Sequence, residues 1–225
     1  MYKSIIYKEW LKIRWALALF LVAGLLALVN IFLNVRYGIR FMDAHEFWYG
    51  IIIQGGNYAA SFKYIPLFAG LGLAVSQYYP EILDQRIKLT FHLPIRENKV
   101  LLLQHGFGLV CLLAVYLVYV VIFITGSGIY FPAEVTVMIG QTILPWFLGG
   151  LATYSLVALI MLEPLWLYRV LYAVIAYGLV SQYYIEAVPM AYTRVMWVFA
   201  LFSVATVIVQ LFSGYRFRKG EMHHG

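Results

Sequence analysis

Charge is what this 225-residue chain has least of: Asp, Glu, Lys and Arg together make up 12%, about half the usual share of a soluble domain. Six long stretches carry none: Trp15–Val35, Tyr64–Pro80, Val100–Ala133, Val135–Leu162, Val170–Ile185 and Val195–Tyr215. Their extent leaves no room for a soluble domain of useful size. Cysteine is almost missing too. The single Cys111 lies inside the third stretch, which excludes an internal disulfide, and a lone thiol in an apolar run is packing rather than chemistry. No Gly-Lys-Ser/Thr phosphate loop is present, so the chain carries no ATPase of its own. Neither a His-Glu-x-x-His motif nor a paired-cysteine motif exists to hold zinc. The ionisable residues Lys63, Glu163 and Arg169 stand near stretch ends and do not form a proton relay deep in a bundle. No catalytic set is found, and the chain reads as a non-enzyme.

What is there is apolar: hydrophobic residues make up 64%. Wound as a helix, Trp15–Val35 extends about 31 Å, close to the thickness of a bilayer's hydrocarbon core. Only helices and closed barrels cross that layer with every backbone polar group paired. A barrel needs alternating polar and apolar positions, and runs such as Leu17–Ala23 have none. The sequence therefore predicts one all-α, polytopic transmembrane domain over 1–225. Its six spans are expected at about 15–35, 60–80, 100–125, 135–162, 165–185 and 195–214.

The basic residues sort by side. With the amino terminus in the cytoplasm, twelve of the sixteen Lys and Arg fall inside and four (Arg36, Arg40, Lys63 and Arg194) outside. This positive-inside bias puts both termini in the cytoplasm. The net charge of +6 then marks topology and lipid-headgroup contact, not a nucleic-acid surface. The first apolar run is too long for a cleavable signal peptide, so it reads as a retained anchor.

Between the spans, several segments carry information. Residues 1–14 read as an interfacial helix: Ile6, Trp10 and Ile13 recur at helical spacing, while Lys8 and Lys12 share another face. Such a helix would lie along the inner leaflet and turn into span one near Arg14-Trp15; the alternative is a simple extension of span one. Arg36–Ser61 is an external segment with a Gln54–Asn57 turn, and part of it, around Phe47–Ile53, suits the membrane interface. Lys63 is expected to snorkel to the outer surface. The segment 81–99 concentrates Glu81, Asp84, Arg86, Lys88, Arg96, Glu97 and Lys99. Glu81–Leu89 can form a short amphipathic helix, stopped by Leu93-Pro94. Mixed charge with apolar anchors suits docking onto a soluble partner. Thr125–Glu134 is expected as an external turn. Gly140, Pro145, Gly149 and Gly150 in span four can support a kink, a hinge or a pathway, or simply close packing. His105 in span three reads as hydrogen-bonded packing.

On the head Tyr7–Arg14, the segment Glu81–Gln104 with Leu93-Pro-Ile-Arg-Glu-Asn-Lys-Val-Leu-Leu-Leu103, and the six-span layout, the chain resembles the membrane subunits of type 2 ATP-binding-cassette (ABC) exporters. The resemblance implies a permease of the bacterial inner membrane that pairs with a second six-span subunit, as a homo- or heterodimer, and with cytoplasmic ATPase subunits. ATP and Mg would sit on the ATPase and no cofactor on this chain. The resemblance makes Tyr7–Arg14 an elbow helix. The segment after span two becomes a coupling helix, with Glu81, Asp84, Arg86, Lys88 and Arg96 as coupling candidates. The outer turn Glu186–Arg194 is shorter than the re-entrant hairpin of many members, and no large external domain is present, which leaves the substrate class open. Two other readings stand beside it: a membrane-embedded redox anchor or enzyme using His92 and His105 with Glu81 or Glu97, and a non-transporting assembly factor.

Overall fold

The computed structural model describes residues 2–41, 44–83, 97–185 and 190–219. Among these there is no strand. Seven α-helices follow one another: α1 Tyr2–Phe41, α2 Ala44–Ile52, α3 Ile65–Ile82, α4 Glu97–Tyr130, α5 Ala133–Leu162, α6 Trp166–Ser181 and α7 Met196–Lys219. Short 3₁₀ turns at Ala60–Phe62 and Gln182–Tyr184 adjust the ends of neighbouring helices.

Proline sets several of the boundaries. The first proline in the chain is Pro66, so nothing in the first forty residues forbids helix, and α1 runs about 60 Å without a break. Pro66 occupies the first turn of α3, where its missing N–H would have no partner anyway. Pro132, at φ −65°, precedes α5. At the other end α5 stops at Leu162, since Glu163 stands before Pro164 and takes an extended ψ of 125°. Arg169 folds back to donate from Nε to the Glu163 carbonyl at 2.6 Å, satisfying an end that the helix leaves open.

The bundle is built around α5, which packs on α3, α4, α6 and α7, while α1 lies across α3 and α4. Cross-helix contacts fix the directions. Glu9, Glu81, Gln104 and Tyr154 meet at one end, called here the polar end. Phe32, Tyr58, Phe123 and Phe131 meet at the other, the aromatic end. Consecutive long helices thus alternate in direction. Three of them, α1, α4 and α5, are long and apolar enough to cross a membrane. Of their most apolar windows, 72% of that in α5 is buried but only 17% of that in α1, and α5 has the lower mean hydropathy, 1.8 against 2.7. The helix at the centre is the less apolar one because it has neighbours to bond to.

Four expectations change. The head is not a separate helix turning at Arg14-Trp15. It continues into α1 because Glu9 and Ile13, 1% and 0% exposed, are packed into the bundle. Lys8 and Lys12 accordingly bond to Glu81, while Trp10 stays on the exposed side. Span two does not end at Pro80, which lies inside α3, so Glu81 belongs to that helix rather than to a loop helix. The external turn expected at Thr125–Glu134 shrinks to Phe131 and Pro132. Helix α4 runs on through Gly126, where a side chain would collide with the ring of Phe32, and Thr125 returns its hydroxyl to the Val121 carbonyl at 2.8 Å. Near the aromatic end the segment around Phe47–Ile53 forms α2, followed by the expected turn, with Gly55 at φ 69°, a conformation glycine adopts at little cost.

Candidate functional site: a buried polar network

The polar end holds the largest concentration of buried ionisable groups among the described residues. Each of the four helices contributes because its sequence breaks an apolar run at one point. Helix α1 supplies Lys8, Glu9 and Lys12, and α3 supplies Gln77, Tyr78 and Glu81. Helix α4 brings Gln104 and His105, and α5 brings Tyr154 and Ser155. Glu9, Gln77, Glu81, Gln104, His105 and Ser155 are all at most 2% exposed.

Lys12 is the centre of charge. Its ammonium donates to Glu9 Oε1 and to Glu81 Oε1, each at 2.5 Å, and Lys8 reaches the same Glu81 oxygen at 2.6 Å. Two carboxylates and two ammonium groups therefore balance within one cluster. Buried charge is tolerable only when paired and hydrogen-bonded in this way. Glu9 has further donors: Gln77 Nε2 to Oε2 at 3.0 Å and Gln104 Nε2 to Oε1 at 3.1 Å. Gln77 also donates to the Gln104 carbonyl at 2.7 Å and accepts the Tyr154 hydroxyl at 2.6 Å. This assigns its amide orientation, since both partners of the nitrogen are oxygens. Gly108 makes room for the Tyr154–Gln77 bond: a Cβ there would stand 2.0 Å from the Tyr154 hydroxyl.

His105 closes the network towards the middle of the bundle. Its Nδ1 lies 3.0 Å from the Tyr78 hydroxyl and its Nε2 lies 3.2 Å from Ser155 Oγ. Its ring stacks on Tyr154 at 4.8 Å. Both nitrogens are engaged within the chain, so neither is open to a ligand in this arrangement, and the hydrogen-bonded packing expected for His105 is what the ring does. No cluster of three or more His, Cys, Asp or Glu suited to a metal occurs among the described residues.

Comparison with protein-family models, curated proteins and solved structures returns no match to this chain.

Asp84, Arg86, Lys88, Arg96 and His92 lie outside the described residues. Glu81, expected as a docking contact, is 1% exposed and turned inward; one of its oxygens, Oε2, is buried without a hydrogen-bond partner among the described residues. Helix α5 is unbroken across Gly140, Pro145, Gly149 and Gly150. Gly150 serves contact: a Cβ there would fall 2.6 Å from the Pro66 carbonyl oxygen, and one on Gly70 would fall 2.1 Å from that of Gly150. Helices α3 and α5 touch backbone to backbone at this crossing, the use of small residues usual between membrane helices. Gly140 faces open space. Cavities flank the bundle among the described residues. One of about 840 Å³ lies under α2, lined by His45, Glu46, Tyr49, Gln54 and Asn57. One of about 470 Å³ lies between α3, α5 and α6, lined by Leu67, Leu71, Leu156, Ala176 and Val180. None of the four α5 candidates lines either cavity.

Sequence reading missed Glu9, Gln77, Gln104 and Tyr154. The signal was present: a glutamine inside an otherwise apolar stretch needs a partner on another helix, and two stretches each carry one near the same end.

Proposed function

We propose that the chain is the membrane-spanning subunit of a transporter driven by a separate cytoplasmic ATPase, on the pattern of the type 2 ABC exporters. In this reading α1, α3, α4, α5, α6 and α7 are six crossings of a bacterial inner membrane, and the polar end faces the cytoplasm with both termini. The twelve-to-four bias of Lys and Arg towards that end supports the orientation.

One observation carries the proposal. Glu81 sits in the last turn of α3, next to the charged segment 84–96, and is bonded to Lys8 and Lys12 of α1. Through Lys12, Glu9, Gln77 and Gln104 the same bonds reach α4. A force applied to Asp84, Arg86 or Lys88 therefore enters the bundle at a joint shared by three helices. Glu81 is the transmitting link, and the docking contacts are the charges that follow it.

The test is capture. The chain, co-expressed with each ABC-type ATPase of the same genome in turn, is expected to retain one of them through purification, and Asp84→Arg with Arg86→Glu is expected to abolish retention. Full retention by the reversed variant overturns the docking role. Thiol labelling of Asp84→Cys from the external side would overturn the permease reading, because no cytoplasmic motor could reach it.

A further inference from the structure

The cavity under α2, at the aromatic end, is unused by the permease reading. Its volume of about 840 Å³ falls within the roughly 300–1,000 Å³ of small-molecule sites. Its walls are α2 and the turn that follows it. Glu46 stands one helical turn from Tyr49 and Gly50 on α2, and the returning chain adds Gln54, Gly56, Asn57 and Tyr58.

These walls are fixed by bonds within the chain. Gly56 donates its N–H to the Gly50 carbonyl at 2.9 Å and Gln54 donates to that of Tyr49 at 3.2 Å, which closes the turn onto α2. A Cβ on residue 56 would stand 2.9 Å from the same Gly50 oxygen, so the closure needs glycine. Asn57 Oδ1 accepts from the Ala59 N–H at 2.9 Å. Tyr58 is held by Ser127 and by its stack on Phe131. A ligand entering here has little backbone left to order.

The lining sets the ligand chemistry. Glu46 is the one carboxylate among the described lining residues, which include no Lys or Arg. An anion would be repelled. The Glu46 carboxylate and the His45 imidazole fall short of a metal's ligand set, and no group of three metal-binding side chains occurs among the described residues. Phe47, Tyr49 and Tyr58 supply ring faces, which carry negative potential and attract cations. A carboxylate among aromatic faces suits an organic ammonium ion: Glu46 meets the charge and the rings meet the alkyl groups. The Gln54 amide can bond a hydroxyl on the same molecule.

We propose that this cavity binds a small organic ammonium ion, with Glu46 as counter-ion and the Tyr49 ring as platform. The proposal goes beyond the permease reading and does not rest on it, because the chain is tested without any ATPase.

The probes are choline and its uncharged analogue, in which carbon replaces the ammonium nitrogen. Each is titrated into the purified full chain at constant ionic strength, with binding read by calorimetry. Choline is expected to bind about tenfold more tightly than the analogue. Glu46→Gln is expected to weaken choline about tenfold and Tyr49→Leu about fivefold. Both residues are exposed, so the variants are compatible with folding. Glu134→Gln removes another exposed carboxylate, on α5 and outside the cavity lining, and is expected to change nothing. No choline binding, equal binding of the two probes, choline binding unaffected by Glu46→Gln, or an equal loss from Glu134→Gln overturns the proposal. Failure of ATPase capture with choline binding intact removes the permease reading alone. Capture without choline binding removes this site alone.

Discussion

The two ends of this bundle are joined by different physics. At the polar end, four helices meet through charge and directional hydrogen bonds centred on Lys12, Glu9 and Gln77. At the aromatic end, the junction is a stack. Tyr58 lies against Phe131 at 4.8 Å and Phe123 at 5.9 Å, Trp48 against Phe131 at 5.7 Å, and Phe32 against Phe123 at 6.3 Å. Among the described residues, the one side-chain hydrogen bond that joins that group is Tyr58 to Ser127 at 2.9 Å. Stacked rings tolerate small slides, since each pair contributes about 0.5–1.5 kcal/mol over a broad geometry. A carboxylate holding three donors does not. The end proposed to receive a motor's force is thus the stiff one, and the other end is free to adjust.

The largest break in this contrast is expected from Glu9→Leu. It leaves Lys12 short of one anion and strips Gln77 and Gln104 of an acceptor, all in a buried setting. A loss of about 3–5 kcal/mol is expected, seen as a lower thermal unfolding midpoint in detergent. A loss below about 1 kcal/mol would show that the network does not hold α1. At the aromatic end Phe131→Ala removes a 5%-exposed ring from its stack on Tyr58 and its tilted contact with Trp48, at an expected cost of about 3 kcal/mol. Its signature differs, because no polar group is orphaned.

Additivity sharpens the comparison. Lys12→Met and Glu81→Leu remove partners of one ion pair. Each alone leaves a buried charge short of compensation, while the double variant removes both. The double is expected to cost less than the sum by about 1–3 kcal/mol. Additive losses would mean that Lys8 and Glu9 compensate each partner independently.

How much of this was legible in the sequence follows from what each signal measures. Absence of charge over long runs marks helices that cannot sit in water, and it located α1, α4 and α5 directly. It did not give their ends. Helix α4 absorbed the expected turn because Gly126 and Gly128 end a helix only where nothing packs on it, and Phe32 packs on Gly126. The head was misread because the spacing of Ile6, Trp10 and Ile13 describes a face without saying what covers it; Glu9, on that same head, is the residue drawn into the bundle. Glu81 was read as surface because it opens a charged segment, yet its neighbours in space come from residues about seventy positions earlier. Pairing over such separations leaves no periodicity in one sequence.

The smallest effect is the most discriminating, because the same atom is deleted at both ends. Tyr154→Phe removes a hydroxyl that donates to Gln77 Oε1 at 2.6 Å. The carbonyl oxygen of Gln77 is then buried without a donor, since its amide nitrogen stays committed to Glu9 and Gln104, and about 2 kcal/mol is expected. Tyr58→Phe removes the bond to Ser127, but that hydroxyl can turn to a carbonyl of its own helix, as Thr125 does in the same turn, and the ring stacks remain. About 1 kcal/mol or less is expected. Unfolding midpoints of the two variants measured side by side give the ratio. Equal losses would mean that the aromatic end is as rigidly bonded as the polar end, and the assignment of stiffness to one end and compliance to the other would fall.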